Sequence, residues 1–126
     1  MRFIYTILLV GLMTSAQCQQ TAEDWFNNGA TLYNQGKNEE AIKAFAEAIR
    51  LNPNYAEAWI GKGAALYNQG KNEEAIEADA EAIKLNPNDA VAWNNKGNAL
   101  DSLAKYDDAI KAYDEAIRLN PNYAEA

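Results

Sequence analysis

At 126 residues the chain has room for one domain of modest size, which excludes a multidomain enzyme. Eleven Lys and Arg face eighteen Asp and Glu, and the net charge of -7 argues against nucleic acid, whose phosphates bind mainly through basic side chains. The absence of His removes the commonest metal ligand and the usual general base at neutral pH, while the lone Cys18 leaves no internal disulfide and no cysteine-rich zinc site.

The chain opens with MRFIYTILLVGLMTSAQC, residues 1–18. Arg2 precedes an apolar run from Phe3 to Met13, and the small residues Thr14, Ser15 and Ala16 follow. This three-part layout is that of a secretory signal peptide, and its apolar run is short of the roughly 20 residues that cross a bilayer. Cleavage is expected after Ala16 or after Cys18, which makes the protein secreted or extracytoplasmic. Gln17 stands where a bacterial lipobox needs a small residue before its cysteine, so neither a lipid anchor on Cys18 nor a membrane span is expected.

From Ala22 onward one unit recurs three times. Trp25, Trp59 and Trp93 are 34 residues apart, as are Gly29, Gly63 and Gly97 and also Pro53, Pro87 and Pro121. The string LYNQGKNEEAI occupies Leu32 to Ile42 and again Leu66 to Ile76, and LNPNYAEA occupies Leu51 to Ala58 and Leu119 to Ala126. The units run 22–55, 56–89 and 90–123, and 124–126 opens a fourth.

Each unit carries two short helical patterns. In the first, Trp25, Gly29 and Leu32 fall at i, i+4 and i+7, on one face of a helix. Gly36 ends it, since glycine takes the left-handed conformation of a helix C-terminus at no steric cost. Asn38 is expected to cap the second helix, with Glu39 and Glu40 favoured in its first turn by the helix dipole. That helix presents Ala41, Ile42, Phe45, Ala48 and Ile49 along one face, and Pro53 stops it. A helix pair of this size cannot bury its apolar face alone, so the units must stack.

The 34-residue period and its Trp, Gly, Ala, aromatic and Pro positions resemble the tetratricopeptide repeat, over nearly all of the chain beyond the leader. The resemblance implies an all-α, right-handed superhelical solenoid of three helix-turn-helix repeats. It also implies that Trp25, Gly29, Leu32, Ala41, Phe45, Ala48 and Pro53, with their counterparts 34 and 68 positions on, are packing residues. Two positions depart from the family pattern. Asn28, Lys62 and Lys96 replace a Leu before the first-helix Gly and are expected to turn toward solvent or snorkel. Asp79 replaces the aromatic seen at Phe45 and Tyr113. It is expected to be a tolerated weak spot at the helix edge, and Asp79→Tyr to raise thermal stability.

No constellation for catalysis is apparent. Glu39-Glu40, Glu73-Glu74 and Asp107-Asp108 recur in each unit and so serve the start of the second helix. No phosphate-binding glycine loop, nucleophile elbow or EF-hand string is present, and no cofactor or metal is expected. The resemblance implies a concave wall, built from the first helix of each repeat, that receives an extended peptide or a helix of a partner protein. Along the non-core face of those helices lie Phe26, Ala30, Tyr33 and Asn34 in the first unit, and Ile60, Ala64, Tyr67 and Asn68 in the second. The third offers Asn94, Asn95, Asn98 and Asp101. An apolar, tyrosine-bearing half thus adjoins an amide-rich half, and tyrosine and asparagine suit peptide contact. Chaperone-binding members of the family grip a carboxylate with Lys and Arg on this wall. Here Phe26, Ile60 and Asn94 stand instead, so no such clamp is expected. The expected function is a noncatalytic protein-interaction scaffold. The alternative is a self-assembling repeat module, because Ile110, Tyr113 and Ile117 on the last helix have no following unit to cover them, and weak self-association through the third repeat follows from that.

Overall fold

The structure, a computed structural model, describes residues 20–122. The expected signal peptide with Cys18 and the expected opening of a fourth unit at 124–126 lie outside the described residues. Six helices follow one another: α1 (Ala22–Asn34), α2 (Asn38–Leu51), α3 (Ala56–Asn68), α4 (Asn72–Leu85), α5 (Ala90–Ser102) and α6 (Tyr106–Leu119). Each packs chiefly on its neighbours in sequence, with weaker contacts from α1 to α3 and from α3 to α5. This is the all-helical solenoid of three helix pairs, with odd-numbered helices aligned side by side.

The turns inside each pair close in one way. After α1, the Gly36 N–H donates to the Tyr33 carbonyl at 2.9 Å and the Lys37 N–H to the Leu32 carbonyl at 2.9 Å, which satisfies two orphan carbonyls of the helix end. The pattern recurs after α3 and α5. It needs a left-handed residue, supplied by Gly36 at φ 76° and Gly70 at φ 75°, but in the third pair by Ala104 at φ 60°. The Asn38 cap is not formed. Lys37 holds the cap position without a side-chain bond, and Asn38 is already inside the helix. The turn commits the backbone of Lys37, so the helix starts a residue beyond it and the amide cannot reach back. Among the described residues, side chains do cap two odd-numbered helices. Thr21 and Asp24 form a reciprocal capping box at α1, and Asp89 accepts from the Val91 N–H at α5.

The core is small and mostly alanine. Ala41, Ala44, Ala48, Ala75, Ala78, Ala82, Ala109, Ala112 and Ala116 are all buried, and Phe45 is the one large apolar side chain fully enclosed among the described residues. Small side chains let the helices approach closely. A Cβ on Gly29 would stand 2.8 Å from the Phe45 ring, and one on Gly97 would stand 2.6 Å from the Tyr113 ring. Phe45 also reaches forward across the seam to the next repeat, where a Cβ on Gly61 would meet its ring at 2.5 Å.

Three expectations about individual residues are corrected. Pro53 and Pro87 are exposed and do not pack; their carbonyls instead accept from the Trp59 Nε1–H at 3.2 Å and the Trp93 Nε1–H at 2.9 Å, which tie each linker to the helix that follows. Asp79 is not at an edge: it is 1% exposed. Its Oδ1 has no hydrogen-bond partner and lies so near Gly63 that a Cβ on that residue would force the carboxyl to move. Tyr113 on α6 is half-buried against α5, while Ile110 and Ile117 are exposed. Lys62 and Lys96 snorkel, with their ammonium groups 5.4 and 5.6 Å from the Trp59 and Trp93 ring centres.

Candidate peptide-binding groove

The odd-numbered helices present a wall with two adjoining cavities. The first, of about 340 Å³, is lined by Phe26, Ala30, Tyr33 and Asn34 from α1, by Ile60, Gly61 and Ala64 from α3, and by Phe45 from below. Its surface is predominantly apolar, and its volume is at the small end of ligand pockets. Glu57, Asp89 and Val91 close its far side. The second cavity, of about 170 Å³, is lined by Tyr33, Ala64, Tyr67, Asn68, Asn95 and Asn98. Tyr33 and Ala64 border both, so the two form one groove that changes from apolar to amide-rich along its length.

Ten of the twelve candidate positions line these cavities: Phe26, Ala30, Tyr33, Asn34, Ile60, Ala64, Tyr67, Asn68, Asn95 and Asn98. Asn94 and Asp101 line neither. Asp101 lies near Tyr113 and helps, after burial, to push the Tyr113 hydroxyl above its ordinary pKa. Several of these side chains also serve the fold. The Phe26 ring sits 5.8 Å from Phe45 and 5.1 Å from Tyr55, and Tyr33 packs on the same cluster. Such rings are held in place before any ligand arrives, which lowers the entropy cost of binding.

Sequence reasoning missed two features. One is Tyr113, whose hydroxyl donates to Asn98 Oδ1 at 2.7 Å and thereby orients an amide of the second cavity. Comparing positions in pairs exposes it: Ala30 and Ala64 become Asn98 in the unit where Phe45 and Asp79 become Tyr113. The other is the acidic rim. Glu23, Glu57 and Val91 lie one helical turn before Phe26, Ile60 and Asn94, on the same stripe. Glu57 lines the larger cavity, and burial, then Glu23 and Glu57, raise the pKa of Tyr55, whose ring lies against Phe26.

A larger cleft of about 480 Å³ lies between α3 and α4, lined by Trp59, Lys62, Leu66, Glu74, Glu77, Ala78 and Glu81. It has no converging acid-base pair, and its glutamates are solvated. Among the described residues no cluster of acidic or Cys side chains is arranged to hold a metal ion, and no helix is long and apolar enough to cross a membrane.

Two tetratricopeptide repeat family profiles match, one over residues 26–90 and one over residues 90–123. The chain belongs to the tetratricopeptide repeat family. No curated protein matches its sequence. Among solved structures, it is similar to the first TPR of Spaghetti (RPAP3) bound to the HSP90 peptide SRMEEVD, at 26% identity and TM-score 0.80, covering 82% of each chain. The first TPR domain of human RPAP3 is similar at 25% identity and TM-score 0.79, over 81% of this chain and 80% of that one. MamA is similar at 27% identity and TM-score 0.76; the match covers 84% of this chain but only 62% of the MamA chain.

Proposed function

We propose that this tetratricopeptide solenoid is a noncatalytic scaffold that binds a peptide segment of a partner protein in the groove between Phe26 and Asn98. The observation that carries the reading is the continuity of the two cavities through Tyr33 and Ala64, which makes a track suited to an extended chain. The apolar part would take side chains, and the amide part would hydrogen-bond a peptide backbone. The similarity to a repeat domain holding an HSP90 peptide supports the class of ligand, an extended segment. It does not support the same peptide, because no Lys or Arg lines either cavity to meet acidic side chains or a terminal carboxylate. The apolar leader supports export, so the partner would be extracytoplasmic.

A second reading, self-association through α6, is favoured by Tyr106 at 58%, Ile110 at 56% and Ile117 at 40% exposure on one helix. A pull-down from the host's extracytoplasmic fraction, joined to sedimentation, separates the two. Tyr33→Ala with Tyr67→Ala should abolish partner capture and leave the sedimentation coefficient unchanged. Ile117→Asp should spare capture and remove any concentration-dependent association. Capture that survives both tyrosine substitutions defeats the groove reading.

A further inference from the structure

Resting on the groove reading above, we infer that the occupant is a basic segment, with an apolar anchor side chain in the larger cavity and Lys or Arg flanking it. The larger cavity takes an aliphatic or aromatic side chain because Phe26, Ile60, Ala64 and the Phe45 ring form its wall. The sign of its charge follows from what surrounds that wall. Glu57 and Asp89 line the cavity directly. Glu23 stands close enough, with Glu57, to raise the Tyr55 pKa, and Tyr55 stacks on Phe26.

One opposing term needs weighing. The N-termini of α1, α3 and α5 lie at this end, and each contributes roughly +0.5 of an elementary charge. Three carboxylates against three half-charges leave the rim net negative. Asp89 is also partly occupied, since it accepts from the Val91 N–H at 3.0 Å. A carboxylate has several acceptor positions, so this bond leaves room for a cationic donor. The other end does not change the sign. The side chains that line the second cavity are all neutral, and Asp101 lies outside it, near Tyr113. Lys62 and Lys96 lie over Trp59 and Trp93 and line neither cavity. An acidic ligand therefore meets like charge at the rim and no cation in the lining of either cavity, whereas a basic one gains attraction at the rim and a faster encounter.

Three synthetic peptides test this against the full chain by fluorescence anisotropy: one Leu-Phe centre flanked on both sides by Arg, by Ser or by Glu. The Arg-flanked peptide is expected to bind at least about 10-fold more tightly than the Glu-flanked one, with an advantage that shrinks as salt rises. Glu57→Gln with Asp89→Asn should cut that advantage at least about 5-fold, since Asn keeps the helix-capping oxygen. Glu40→Gln with Glu73→Gln removes the same charge away from the groove and should leave it intact. Equal loss in both double variants means diffuse attraction to an acidic protein and overturns the inference. Equal or reversed ranking of the peptides overturns it too, while the groove reading stands if Ile60→Ser weakens all three. If no peptide binds, or if binding ignores Ile60→Ser, the groove reading and the inference fall together.

Discussion

Asp79 carries a carboxyl where its two sister positions carry aromatic rings, and its environment changes its chemistry. Burial pushes its pKa from 3.8 up to about 8, with Lys96 opposing the shift in part. Below about pH 4 the group is neutral in both folded and unfolded chains and carries no ionisation penalty. As pH rises from there toward 8, the unfolded chain releases the proton while the folded chain retains it. Unfolding is favoured progressively across that window, and the loss is complete above the folded pKa. Asp79→Asn should match the parent protein near pH 4 and exceed it by at least about 2 kcal/mol at pH 8, measured as the difference between urea titrations at each pH. Equal stability at pH 8 would refute this account. The identity of the misfit was plain from the period, but its depth was not. Depth depends on Gly63, whose missing Cβ lets the helices close over the carboxyl, and on an Oδ1 that finds no donor.

At the scale of the element, the six helices follow from the spacing of small and apolar residues, and their C-terminal turns follow from Gly36 and Gly70. The third turn does not. Ala104 has the left-handed backbone of its sister glycines, at a cost of roughly 1–2 kcal/mol for a residue with a Cβ. Ala104→Gly is therefore expected to stabilise the protein, by about 1 kcal/mol once the greater freedom of glycine in the unfolded chain is subtracted. Chemical denaturation reads this directly, and a lower midpoint would show that the turn is not strained. Helix starts were harder to place than helix ends. Asn38 has the composition of a cap but sits one residue too late, because the hydrogen bonds of the preceding turn set where the helix begins.

At the scale of the whole molecule, stability resides in the seams between repeats as much as in the repeats themselves. Phe45 spans the first seam because Gly61 leaves room for its ring. By the 34-residue period Asp79 stands for Phe45 at the second seam and Asn95 for Gly61, which would set a smaller side chain against a larger one. The gain expected from an aromatic at position 79 is conditional on that partner. Asp79→Phe alone should give little or no rise in melting temperature. Asn95→Gly alone should cost roughly 0.3–0.5 kcal/mol, the gap in helix propensity between asparagine, itself a poor helix former, and glycine. The double variant should exceed their sum by at least about 1 kcal/mol, a coupling that thermal or urea unfolding of all four proteins measures. Additive effects would show that the residues do not share the space. The groove was readable in outline for the same reason that the seams were not. Phe26, Ile60 and Asn94 mark one helical stripe within each repeat, whereas seam contacts arise only when one repeat meets the next. Phe45 and Gly61 also bear on how such a gene can be shuffled. Looping out residues 56–89 preserves reading frame and period, yet it sets Phe45 against Asn95. Three near-copies of one unit are thus not interchangeable parts, and their order in the chain is itself inherited information.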